Sequence, residues 1–223
     1  MKINSRTIIL ADANIQVSDV VTCLGVAIDS QLTFADSVKK LSGSSFYHLR
    51  QLHSVCCSLT ASAANTLVYA LISSRVDCCS SVLYGVCEVH LRQLQLVLNA
   101  AAWLITGKRK FDHIASTMRD DLHWLPVQQR IQFKLCTLVS KCLRHTAPSY
   151  LTDMCIQMSA ASGHSCLWSC SHHNLYVPRC RLTWYGPWGF SMSGPTAWNS
   201  LLTSIRDLSE SSFLSTAEDW TIP

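Results

Sequence analysis

The chain has 223 residues, of which 48% are hydrophobic and 14% charged, and its formal net charge is +4. That length holds one domain of moderate size, or one domain and a tail, and the composition argues against wholesale disorder. A strongly basic nucleic-acid binder carries more positive charge than this, so any such binding is expected to be weak.

The first 34 residues read as extended. Ile8-Ile9-Leu10 and Val20-Val21-Thr22-Cys23-Leu24 are short β-type runs, and Gly25 and Asp29-Ser30 punctuate the second. From Ala35 the period becomes helical, with Val38, Leu41, Ser45, Leu49 and Leu52 on one stripe that Gly43 weakens somewhat. A second helix opens at Thr60 as N-cap and carries Leu67, Val68, Leu71 and Ile72. The third presents Leu91, Leu94, Leu98, Ala102 and Ile105 on one face and stops at Gly107. Pro126 suits a first helical turn, after which Val127, Ile131, Leu135, Leu138 and Cys142 mark another helix ending before Pro148.

Beyond Cys155 no period is sustained, and the segment reads as irregular. The expected architecture is mainly α. A β-hairpin-like stub over 1–34 leads into a helical region over 35–154 and an irregular tail over 155–223.

The 12 cysteines and 9 histidines are unusual for such a chain. Secreted disulfide modules are short and follow a signal peptide. Here Ile8-Ile9-Leu10 is too short for the apolar core of one. The stretch Leu96 to Ile105 contains Asn99 and falls short of the roughly 20 apolar residues of a membrane span. An intracellular protein, cytoplasmic or nuclear, with mostly free thiols is expected, having no membrane or small-molecule partner.

The sequence offers no complete catalytic set. Cys166, Cys170, His172, His173 and Cys180 are the best metal candidates, but no second well-spaced pair completes a zinc knuckle or finger, so no metal or other cofactor is assigned. The neighbours Cys56-Cys57 and Cys78-Cys79 are expected to point apart and to act as structural thiols. Asp120-Asp121 is the sole adjacent pair of aspartates and suits an N-cap or turn better than a two-metal site. Gly107-Lys108-Arg109-Lys110 lacks the second glycine and the Ser/Thr of a phosphate loop. Lys108, Arg109 and Lys110, with Arg130 and Lys134 one helical turn apart, form the best nucleic-acid feature, since phosphate contacts need only charge with reach. A solvated charged face has the same pattern.

Several strings in order resemble the C-terminal part of non-LTR (LINE-type) retrotransposon reverse transcriptases, of the jockey-like and chicken-repeat-like clades. Leu24-Gly25-Val26-Ala27-Ile28-Asp29 with Leu32-Thr33-Phe34 resembles their L-G-V-x-x-D…L-x-F element. Ser74-Arg75-Val76-Asp77-Cys78-Cys79-Ser80-Ser81-Val82-Leu83-Tyr84-Gly85 is similar to S-R-L-D-Y-C-N-S-L-L-Y-G, and Asn99-Ala100-Ala101-Ala102 to N-A-A-A-R. Leu122-His123-Trp124-Leu125-Pro126-Val127, with Arg130-Ile131 and Phe133-Lys134, is close to L-H-W-L-P-V-x-x-R-I-x-F-K. Ala147-Pro148-Ser149-Tyr150-Leu151 and Pro195-Thr196-Ala197-Trp198-Asn199-Ser200-Leu201 complete the series.

The resemblance implies a palm edge, a helical thumb-like region and a tail of an RNA-directed DNA polymerase. In that family two metals are held by palm aspartates, including those of an aromatic-Ala-Asp-Asp hairpin. No such string occurs in this sequence, so no catalytic residue carries over and an inactive, truncated fragment is expected, with weak, sequence-independent contact to RNA or DNA. A retained nucleic-acid-binding module and a zinc-dependent interaction tail are the alternatives.

Trp103, Trp168 and Trp188 stand where the family pattern has Arg, Cys56-Cys57 lie where it is often Arg-rich, and Leu202 replaces a Pro. One C-to-T change turns an Arg codon beginning with CG into Trp or Cys and a Pro codon into Leu, so a mutational scar of an inactive copy is expected to explain part of this pattern, with ordinary divergence as the alternative. Arg at the five Trp and Cys positions would raise the net charge from +4 to about +9. On an isolated helix Trp103 lies about 160° from the Leu91–Ile105 stripe, which predicts an exposed apolar spot beside Leu96.

Overall fold

The computed structural model describes residues 7–10, 13–16, 18–108, 113–160, 174–179, 189–206 and 212–213. The N-terminal stub is two antiparallel hairpins: β1 (Thr7–Leu10) pairs with β2 (Ala13–Gln16), and β3 (Val20–Cys23) with β4 (Val26–Asp29). Cys23 faces Val26, so Leu24-Gly25 is a two-residue turn, and both residues have positive φ (49° and 83°). That is the type I′ turn that right-handed strand twist favours, with glycine where the conformation costs least.

Asp29 fastens the end of β4 to the first helix. Its carboxylate accepts from Thr33 N (3.1 Å), Thr33 Oγ1 (2.8 Å) and Phe34 N (2.9 Å). Partial desolvation pushes the carboxyl up, but the Thr33 and Phe34 donors outweigh it and hold Asp29 below its ordinary range. Phe34 is thereby kept at φ 56° as N-cap, with its ring in the core.

Helix α1 (Ala35–Val55) buries Val38, Ser42, Ser45, Leu49 and Leu52 and packs chiefly on α4 (Glu88–Thr106). The predicted stripe is the observed one, except that Leu41 is half-buried and Ser42 joins it. Helix α2 (Ala61–Val68) opens as expected: Thr60 Oγ1 accepts from Ala63 N at 3.2 Å. It continues through a π turn (Tyr69–Ser73) into α3 (Ser74–Asp77), placing Val68, Ile72 and Val76 in the core. Helix α4 adds Leu94, Val97, Leu98, Ala101 and Ala102, and Gly107 at φ 64° closes it as predicted.

A short helix absent from the sequence reading, α5 (Ala115–Asp120), follows. The carboxylate pair ends this helix rather than starting one, with Asp120 its last residue and Asp121 its C-cap. In α6 (Val127–Leu143) Pro126 is the N-cap, one position earlier than a first-turn proline. Val127 and Ile131 belong to the main core, while Leu135, Cys136, Val139 and Cys142 join a second cluster.

That second cluster corrects the expectation of a wholly irregular tail. After α7 (Ser149–Thr152), α8 (Phe190–Asn199) lies against α6 with Ala197 and Trp198 buried, and Leu201 and Phe213 complete the cluster. α9 (Thr203–Arg206) follows. The α8 sequence Phe-Ser-Met-Ser-Gly-Pro-Thr-Ala-Trp-Asn has little intrinsic helix preference. Packing therefore stabilises it: a Cβ on Gly194 would come within 3.1 Å of Val139 Cγ2, a close approach that glycine permits. Asn199 holds residue 175 on the same cluster, donating to Leu175 O and accepting from Leu175 N, both at 2.8 Å. Among the described residues no helix is long and apolar enough to cross a membrane.

Candidate nucleic-acid interface

The predicted basic residues divide by what they touch. Arg130 turns inward. Its Nη1 donates to both Asp77 carboxylate oxygens at 3.1 Å, its Nε donates to Leu125 O at 2.8 Å, and its guanidinium carbon lies 5.6 Å from the centroid of the Trp124 ring. With its side chain only 14% exposed, it is a joint between α3 and α6 rather than a free phosphate contact. Lys134, one turn on and exposed, donates to Asp77 O at 2.7 Å, so a cation meets the C-terminal carbonyl of α3.

Lys108 hydrogen-bonds Thr117 Oγ1 and lies 3.9 Å from Asp121 Oδ2, tying the end of α4 to α5. That ion pair is largely exposed and contributes little on its own. Arg109 and Lys110 lie outside the described residues, as do Cys166, Cys170, His172, His173, Cys180, Trp168 and Trp188. Lys108 thus stands with α5, while Arg130 and Lys134 converge on Asp77. The described members of the set do not form one open face.

A different basic groove is present. The β3–β4 turn, α1 and α3 enclose about 380 Å³ lined by Thr22, Gly25, Ser37, Lys40, Ser44 and Arg75, among others. Arg75 Nη1 donates to Ser44 Oγ at 2.7 Å and to His48 Nε2 at 3.0 Å. Guanidinium has no acceptor, so the histidine Nε2 accepts and its ring proton sits on Nδ1. These contacts fix the guanidinium without neutralising it. Among the described residues no carboxylate lines the groove or pairs with Lys40 or Arg75.

Along α1, Lys40, Gly43, Tyr47 and Arg50 recur at helical spacing on the exposed side, with Lys39 beside them. Basic and aromatic side chains on one face suit a nucleic-acid backbone and an occasional unstacked base. The signal was available in Lys39-Lys40, Tyr47 and Arg50, on the side of α1 opposite its apolar stripe. Nothing in the sequence joins Arg75 to them.

Trp103 corrects the expected exposed spot. It is half-buried, packed on the main core, and lines a second cavity of about 420 Å³ with Phe46, Arg50, His53, Cys56 and Lys108. The helical-wheel angle treats α4 as isolated, whereas α1 covers that side. Leu96 remains exposed.

The cysteines hold another correction. Cys78 and Cys79 do not point apart: their sulphurs lie 3.9 Å from each other. Cys79 has φ 54°, and this left-handed residue after α3 folds the chain back and brings the side chains together. Cys136, Cys142 and Cys155 are buried and free. Burial pushes the Cys136 and Cys155 thiols up to about 12, and for Cys155 the neighbouring Cys142 adds to the effect.

The strings named above supply several of these joints. Asp29 belongs to the first, Asp77 to the second, Trp124, Arg130 and Lys134 to the fourth, and Asn199 to the last. Asn99, of the third, accepts from Gln95 Nε2 at 2.8 Å, and Gln95 Oε1 accepts from Val127 N at 2.9 Å, satisfying an end group of α6. Compared with known proteins, the chain matches no family model, no curated protein and no solved structure.

Proposed function

We propose that the chain is a non-catalytic, thumb-like segment of a non-LTR reverse transcriptase that holds RNA or DNA through the phosphate backbone. The observation that carries the binding is the Lys40–Arg75 groove, where two cations from separate helices converge with no carboxylate among the described residues that line it. The lineage rests on the ordered strings, and it is supported by their meeting as joints such as Asp77–Arg130. The family's catalytic aspartates are not among these 223 residues, so binding without nucleotide transfer is the expected activity.

Phosphate recognition by exposed cations carries no sequence information and weakens as salt rises. If Lys39, Lys40, Arg50 and Arg75 each meet one phosphate, log K falls with log salt at a slope of about −3.6. Fluorescence anisotropy with a labelled primer–template and with an unrelated duplex tests the proposal. Similar micromolar-range affinities and that slope are expected. Nanomolar binding persisting near roughly 200 mM salt would contradict it, and so would primer extension by the purified chain.

A further inference from the structure

The exposed end of α3 carries a pair of thiols, one of which, Cys78, lies at the edge of the groove. Cys78 is exposed and Cys79 half-buried, and their sulphurs are 3.9 Å apart. In tetrahedral coordination with metal–sulphur bonds of about 2.3 Å, two thiolates on one zinc ion stand about 3.8 Å apart. The observed separation therefore already has the bite of a chelate. It comes from the backbone: the left-handed Cys79, at φ 54°, sets both side chains on one side of the turn, where a regular helix or strand would separate them.

Burial and the neighbouring Cys78 push the Cys79 thiol up, and Lys134 acts against them. Lys134 Nζ, held on Asp77 O at 2.7 Å, brings a positive charge to which Cys79 responds. Among the described residues no preformed group of three or more metal-ligating side chains exists.

We infer that Cys78 and Cys79 form an open two-thiolate site for a thiophilic divalent cation of the zinc and cadmium class. Binding is a proton-for-metal exchange without redox change. Each S–H bond breaks, two sulphur–metal bonds form, and two protons pass to solvent. Cys78 also lines the Lys40–Arg75 groove, yet metal binding is read on the thiols themselves and without nucleic acid.

The test is alkylation protection with peptide mapping on the full chain, kept reduced by a phosphine and titrated with cadmium alone. Iodoacetamide modification of Cys78 and Cys79 should slow together by about tenfold or more, since metal-bound thiolates are withdrawn from attack. Cys87, exposed and outside the pair, serves as the internal reference and should be unaffected. In Cys79→Ser, protection of Cys78 should disappear while the reference is unchanged. The inference is overturned if neither cysteine is protected, if Cys87 is protected equally, or if Cys78 stays protected in Cys79→Ser. The wild-type map needs no variant to fold.

Discussion

Arg130→Met keeps most of the aliphatic volume of the side chain and deletes the guanidinium, which donates to three oxygens and lies over Trp124. Breaking a buried ion pair from one side costs about 3–5 kcal/mol, and an exposed pair contributes about 0.2–1 kcal/mol. With side-chain exposures of 14% for Arg130 and 32% for Asp77, the pair lies between these limits. A loss of about 2–3 kcal/mol follows, large against a typical stability of about 5–15 kcal/mol. Urea denaturation followed by circular dichroism should show the midpoint fall by about 1 M, for a slope of roughly 2 kcal/mol per molar. Asp77→Asn and the double variant complete a cycle, with an expected coupling energy of about 1–2 kcal/mol. Additivity of the two single changes to within about 0.3 kcal/mol would refute the joint, because the two side chains would then not be stabilising one another.

The remaining predictions concern local devices. Thr60→Ala removes the only side-chain acceptor seen at the start of α2 and should cost about 1 kcal/mol in the same assay. The Asp29 carboxyl is held low in the fold, so its stabilisation is present above the unfolded carboxyl value of 3.8 and is lost as pH falls through the folded value. Thermal melts of Asp29→Asn between roughly pH 5 and pH 2 should accordingly show a shallower pH dependence than the parent. Cys136 and Cys155 are raised to about 12, so the unfolded chain ionises first and stability should decline as pH rises above 9.0. A Cys136→Ala variant should lose part of that alkaline slope, and an unchanged slope would argue against buried thiols as its source.

The main helices were legible because their apolar stripes and end signals agree. Val38 to Leu52, Thr60, Leu94 to Ala102 and Gly107 each do in the fold what period and capping chemistry imply. Helix α8 was not legible, since Gly194 and Pro195 read as breakers and its packing partner Val139 lies far off in the chain. The same limit governs the site. Arg130 and Lys134 look like a basic stripe at helical spacing, and nothing local reveals Asp77, 53 residues from Arg130. Cys78 and Cys79 were misread because alternation assumes regular backbone, and Cys79 is left-handed. The groove arises only when the turn at Leu24-Gly25 and α3 are brought beside Lys40.

The central claim is that Lys40 and Arg75 form the phosphate contact, and the salt dependence of the Lys40→Gln/Arg75→Gln variant tests it most directly. Binding of the parent and of this variant to one primer–template duplex is measured across a salt series, alongside Lys108→Gln. The account predicts that the double variant binds more weakly and that its log–log slope is shallower by about 1.8, the contribution of two phosphate contacts. Lys108→Gln should leave the slope near the parent value, because that lysine is engaged with Thr117 and Asp121. An unchanged slope in the double variant, at undiminished affinity, would contradict the account.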